Sequence, residues 1–282
     1  MAKAPSSLAP FSYNWVGGDI RGLSRLAGTL YGFADQAAEP ANTLQGTVDR
    51  LVSESGDNAW KGSAADNFKM DFGQDIVDVR WMNGRTVAVG DAVDGLAVTL
   101  AKIESWLESQ AEQGVRAGYV TLDGAGKMTL PKGTSDPRVQ RFLQQFNQSR
   151  EQALIAAKAA RKVAAKKLAA EYSTLSNGLM NYKTNHRNLL SKNELAALDS
   201  NLRQLRQGFQ DANHLLDSTS RPGAHEKALL KDAVMTATTI IGGTAGAVVG
   251  TFVEPGGGTI AGAGIGGLIG QGAGSMLGSI FD

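Results

Sequence analysis

An all-α fold is predicted for this 282-residue chain: long antiparallel helical hairpins forming an elongated bundle, then a C-terminal hydrophobic glycine-zipper helical hairpin. Three observations predict it. Apolar residues recur at alternating steps of three and four over most of residues 20–217, the spacing of helices with one buried stripe. The breaks between these runs are short and polar. Beyond residue 232 the chain becomes almost uncharged, and its glycines fall at every fourth position.

The first run covers residues 20–52, with Ile20, Leu23, Ala27, Leu30, Ala34, Ala37, Ala41, Leu44, Val48 and Leu51 on one stripe. Its weak points are Gly22, Gly28, Gly32, Pro40 and Gly46, and proline inside a helix predicts a kink near Pro40. Ser53-Glu54-Ser55-Gly56-Asp57-Asn58 is a polar break. A second helix opens at Ala59-Trp60-Lys61-Gly62, and its stripe runs from Phe68 through Phe72, Ile76, Val79, Met82, Thr86, Val89, Val93, Leu96, Leu100 and Ile103 to Leu107. At 1.5 Å per residue this helix is about 60 Å long and needs a partner along its length. The preceding helix, joined by a short loop, is the expected one, so residues 1–118 read as an antiparallel helical hairpin.

Residues 119–136 change character. Two short β-prone runs flank Asp123-Gly124-Ala125-Gly126, which predicts a small hairpin or a loop. Ser135-Asp136-Pro137 then supplies a capping side chain and a first-turn proline. Residues 137–217 read as a second helical hairpin. Its first stripe runs from Phe142 and Phe146 to Tyr172 and Leu175, and Asn177-Gly178 is the expected break. Ser191-Lys192-Asn193-Glu194 has the capping-box pattern ahead of Leu195, Leu198, Leu202, Leu205, Phe209, Ala212 and Leu216. Residues 218–232, with STSRPG, read as a linker.

Residues 233–282 carry the most specific pattern. Between Ala233 and Phe281 the only charge is Glu254, which leaves uncharged stretches of 21 and 27 residues on either side. Each exceeds the roughly 20 residues needed to cross a bilayer core as a helix. Glu254 and Pro255, followed by three glycines, mark the hairpin tip. Gly258, Gly262, Gly266, Gly270, Gly274 and Gly278 share one phase, and Gly242, Gly246 and Gly250 repeat it in the first arm. Four residues advance a helix by about 400°, so these glycines trace a winding groove in which two backbones approach closely. In hydrocarbon an unwound backbone has no water to bond to, which favours the helix despite glycine's low propensity. Two further readings stay open: a soluble core element inside the helical bundle, and a low-complexity tail.

Charge is segregated. Residues 1–117 carry a net −5, residues 118–232 a net +8 and residues 233–282 a net −2, within an overall +1. With no cysteine, disulfides, zinc-thiolate sites and thiol nucleophiles are excluded. No catalytic constellation stands out, so the chain is read as a non-enzyme without cofactor or metal. His186, His214 and His225 lie in polar company, and metal-ligand spacings and phosphate-loop motifs are absent. The basic run of Lys158, Arg161, Lys162, Lys166 and Lys167 fits a solvated helix face, anionic lipid headgroups or an acidic partner. The acidic first hairpin is another way to satisfy these charges. Nucleic acid is not expected, because aromatics are not interleaved. The N-terminal residues contain no apolar run of secretory-signal length, so any export is expected without a cleaved leader.

Trp60-Lys61-Gly62 at the turn of a long helical hairpin, followed by AADNF, resembles the WXG family of type VII secretion substrates over residues 18–123. Members of that family carry a Tyr-xxx-Asp/Glu export signal after the second helix. Tyr119-Val120-Thr121-Leu122-Asp123 matches it in type and place, although in a β-prone context; Tyr31 and Asp35 match it on the first helix. The resemblance therefore implies an export signal made of Trp60, Gly62, Tyr119 and Asp123. It also implies a small helical WXG-type chaperone. In length the chain is similar to LXG-type antibacterial toxins, some of which end in glycine-zipper segments and depolarise membranes. The expectation is a secreted antibacterial effector that inserts its hairpin into a target-cell membrane, self-associates there and permeabilises it, with an immunity protein as counterpart. The alternative is a non-toxic structural or membrane-anchored component of the secretion system.

Overall fold

A computed structural model describes residues 3–53, 60–131, 136–188 and 190–217. The protein is mostly helical over these residues. Helices α1 (Ile20–Ser53) and α2 (Ser63–Arg116) are followed by strands β1 (Thr121–Leu122) and β2 (Met128–Thr129). Helices α3 (Pro137–Asn185) and α4 (Lys192–Asp217) complete the order. The strands pair antiparallel, Thr121 with Thr129 and Leu122 with Met128.

Cross-helix partners give the packing. Tyr31 on α1 meets Asp91 on α2, while Gln45 meets Arg80, so the two helices run in opposite directions. On α2, Arg85 pairs with Glu171 and Gly114 faces Phe142, so α3 is antiparallel to α2. Lys183 pairs with Asp199 and Tyr172 packs at Gly208, which sets α4 antiparallel to α3.

The predicted stripes supply most of the core. Leu23, Ala27 and Leu30 of α1 and Phe72, Val79, Val93 and Leu100 of α2 are buried. Each large aliphatic removed from water contributes about 1.5–3 kcal/mol. A single stripe does not describe α2, however, because this helix is covered on two sides. Ala92, Ala97, Ala101 and Ala111 are buried as well, small residues that let α1 and α3 approach a shared helix. At the other extreme, Phe209 on the expected α4 stripe remains exposed.

Two local expectations meet different outcomes. The capping box at α4 forms: Ser191 N–H donates to Glu194 Oε2 at 2.6 Å, and Glu194 N–H donates to Ser191 Oγ at 3.3 Å. The predicted break at Asn177-Gly178 does not form, and α3 continues to Asn185. A Cβ on Gly178 would stand 2.2 Å from the Trp81 ring, so this glycine makes room for an indole from α2. Gly114 does the same for Phe142, at 2.1 Å. Close helix contact offsets the helical cost of glycine, about 1 kcal/mol, at such positions.

No helix among the described residues is long and apolar enough to cross a membrane. The predicted glycine hairpin, with Gly242, Gly246, Gly250, Glu254, Pro255, Gly258, Gly262, Gly266, Gly270, Gly274 and Gly278, lies outside the described residues, as do the linker and His225.

Candidate functional site

The WxG turn has a conformational cause for its glycine. Gly62 is the residue before α2 and has φ 99° and ψ −179°, a region essentially reserved for glycine. A Cβ there would meet nothing within 4 Å, so backbone geometry rather than crowding requires the glycine. Trp60 lies against Phe68 with ring centroids 5.0 Å apart, and Phe68 stacks on Phe72 at 6.0 Å. Trp60 is 42% exposed; Met70 and Val77, within the first five turns of α2, are more exposed still. This end of α2 therefore presents apolar side chains to solvent.

Tyr119 and Asp123 fall on the connection between α2 and α3. Tyr119 N–H donates to Gly114 O at 2.9 Å, and its ring lies 5.9 Å from Phe142. Asp123 closes the β1–β2 turn: its Oδ1 accepts from the N–H groups of Ala125 and Lys127, both at 2.9 Å. An Asp that bonds its own backbone two residues on is a turn former. The pair thus belongs to a strand-and-turn unit, where four-residue spacing does not align two side chains as it would on a helix. Asp123→Asn keeps the accepting oxygen and removes the charge; Asp123→Ala removes both. The expected result is a hairpin unchanged in Asp123→Asn and loosened by about 1 kcal/mol in Asp123→Ala, read by amide exchange at Ala125 and Lys127. An export defect in Asp123→Asn would then report recognition of the carboxylate itself.

The basic run divides. Lys166 and Lys167 are exposed, and Lys158 and Lys162 are half-buried. Arg161 is buried and leaves the expected lipid- or partner-facing set. Its Nη2 donates to Val16 O at 2.9 Å and to Gly17 O at 2.8 Å. The reason is its phase: it stands four residues after Ala157 and three before Ala164, both buried core positions.

Those two carbonyls belong to an N-terminal segment whose sequence has no apolar period. Residues 3–19 are not helical, yet α2 holds them through a row of carboxylates. Asp91 takes the Lys3 ammonium, and Asp94 accepts from Ser6 N–H and, at 2.6 Å, from Ser6 Oγ–H. Glu104 Oε1 accepts from Val16 N–H at 2.6 Å, and Glu108 Oε2 from Ser12 N–H at 2.7 Å. Trp15 Nε1–H adds a bond to Gly126 O at 3.0 Å, tying the strap to the β hairpin. Gly17 and Gly18 follow with φ 79° and 93°, which turn the chain into α1. The acidic surplus of the first segment thus has an internal use.

Glu104 and Arg161 grip one stretch of backbone from opposite poles, the carboxylate on an N–H and the guanidinium on the next two carbonyls. Burial pushes the Glu104 carboxyl up, with the negative charge of Glu108 adding to the rise; the Val16 and Trp15 N–H groups and the Arg161 charge partly oppose it. Asp91 moves the other way. Burial acts to raise it, but bonds from the Lys3 ammonium and the Tyr31 hydroxyl outweigh that and hold it low. A signal for the buried carboxylate was present in the sequence: Glu104 sits four residues after Leu100 and three before Leu107, in core phase.

His186 stacks on Tyr182 at 4.4 Å, with Nδ1 3.1 Å from the Tyr182 carbonyl. No group of three His, Cys, Asp or Glu that could hold a metal ion occurs among the described residues. The described residues bring together an exposed apolar helix end, a strapped N-terminal segment and a partly solvated basic face. Comparison with protein families, with curated proteins and with solved structures finds no match to this chain.

Proposed function

We propose that the chain is a secreted, antibacterial membrane-active effector of the WXG/LXG type. Its helical region targets export, and its C-terminal glycine-zipper hairpin inserts into a target membrane, self-associates and permeabilises it. The observation that carries the reading is the common i+4 register of Gly258, Gly262, Gly266, Gly270, Gly274 and Gly278, echoed by Gly242, Gly246 and Gly250 in stretches otherwise free of charge. The WxG turn supports the targeting half, because Gly62 holds a glycine-only conformation at the start of a long helix beside the exposed Trp60. A small helical WXG-type chaperone fits the exposed apolar end of α2, and an immunity protein in the producing cell fits a membrane-active product. Lys158, Lys162, Lys166 and Lys167 remain as candidates for anionic lipid or partner contact.

The test is dye release from anionic liposomes by the full chain and by a chain ending at residue 232. Release by the full chain and none by the truncation is the expected result. Equal release by the two would remove the hairpin from the mechanism. No release by either, with the full chain still bound to vesicles, would favour a non-toxic membrane-anchored component of the secretion system.

A further inference from the structure

A groove runs between α2 and α3, lined by Ala92, Gly95, Leu96 and Thr99 on one helix and by Ala160, Val163 and Ala164 on the other, with a volume of about 330 Å³. Its floor is made of small side chains, and a Cβ on Gly95 would meet nothing within 4 Å. Apolar surface continues along it: Val163 is 57% exposed, and Trp106, seven residues beyond Thr99 on the same face of α2, is 41% exposed. A small-floored trough of this kind admits a helix at close range.

We propose that in the water-soluble protein this groove holds the first apolar arm of the chain, residues 233–253. Three observations argue for that occupant. The pairs Lys183–Asp199 and Tyr172–Gly208 set the register of α4 on α3, and continuing it brings Asp217 to the level of Val163. Residues 218–232 reach up to about 50 Å when extended, enough to pass around one helix of about 10 Å diameter. The arm has 21 uncharged residues with Gly242, Gly246 and Gly250 every fourth position, a small-residue face that matches the Ala and Gly floor. Charge agrees too: the groove's one charged lining residue is Lys167, and the charge that follows the arm is Glu254. The inference deepens the proposed membrane activity and rests on it only for the release step. Without cover, such an arm would expose apolar surface to water throughout export.

The natural absence of cysteine makes a clean test. Thr99→Cys is combined, in the full chain, with Gly242→Cys, Gly246→Cys or Gly250→Cys, and disulfide formation is read under mild oxidation without lipid. At least one pair is expected to close within a single chain, because tethering raises the effective concentration to roughly millimolar and docking fixes the geometry. Its yield should exceed that of Ile155→Cys with the same partners by about tenfold. Ile155 is exposed and lies about 140° around α3 from Ala160. Equal yields at the two sites, no closure at any pair, or disulfides only between chains would each overturn the proposal; the last would make a second copy the occupant. Hydrogen exchange around Gly95–Thr99 should also quicken when residues 218–282 are removed, and unchanged exchange there would overturn the proposal without any substitution. The locked disulfide should block dye release until reduced. Release unaffected by the lock would sink the inference and leave the membrane reading standing. A lock that forms in a chain no more leaky than the truncation would sink the membrane reading alone.

Discussion

Arg161→Met is expected to destabilise the helical region by about 3 kcal/mol, because two backbone carbonyls each lose a hydrogen bond to a charged donor. Methionine keeps much of the volume of the arginine stem, so the loss comes from charge and hydrogen bonds. Val16 O and Gly17 O each lose a guanidinium donor, and the buried Glu104 carboxyl loses the favourable field of the Arg161 charge. Urea denaturation followed by circular dichroism measures the change. The double variant Glu104→Gln/Arg161→Met should recover part of the loss, because the buried charge is gone and the amide oxygen still accepts from Val16 N–H. A single variant within 1 kcal/mol of the parent would contradict the clamp.

Glu104 also sets a pH signature. Glu104 has a folded value raised above the ordinary glutamate value of about 4.3. The folded state then binds the proton more tightly than the unfolded state does. The associated stability is fully present below the unfolded value and is lost as pH rises through the folded one. Asp91, held low by Lys3 and Tyr31, works in the opposite sense: its contribution is present above the ordinary aspartate range and is lost as pH falls through its lowered value. Glu104→Gln should therefore remove a decline in stability on the alkaline side of the carboxylate range and leave the acid-side loss in place.

The second large effect is on membrane activity. Replacing Gly262, Gly266, Gly270 and Gly274 together by leucine is expected to lower liposome dye release at least tenfold while vesicle binding persists. Leucine adds apolar surface, so partitioning into the bilayer does not suffer. It fills the groove through which two backbones would approach, so helix contact does. Unchanged leakage would remove the zipper from the mechanism and leave a packing-independent disruption. Glu254 separates insertion from assembly. Carrying a carboxylate at the tip through hydrocarbon costs several kcal/mol, and less once protonated. Leakage by the parent should quicken at acid pH, and Glu254→Gln should flatten that profile.

Much of the helical layout can be read from the chain. The steps of three and four predict α1 through α4 because a helix needs an apolar stripe and little else to declare itself. The turn at Asp123-Gly124-Ala125-Gly126 is legible for the same local reason, since Asp and Gly satisfy the bend within a few residues. The strap of residues 3–19 was not legible. It has no period, and its bonds run to Asp91, Asp94, Glu104 and Glu108, about 90 positions away. Arg161 was misplaced on the surface because its lysine neighbours set its apparent company, whereas its core phase decided its position.

The sequence by itself determined the helical class, the segregation of charge and the four-residue rhythm of glycine, because each follows from local spacing along one chain. Only the tertiary structure decided that α2 is covered on two sides and that Gly178 admits an indole instead of ending a helix. It alone joined Glu104 and Arg161 on one buried stretch of backbone. Those outcomes turn on which surfaces meet, and a pattern along one helix carries no information about the side chain that arrives from another.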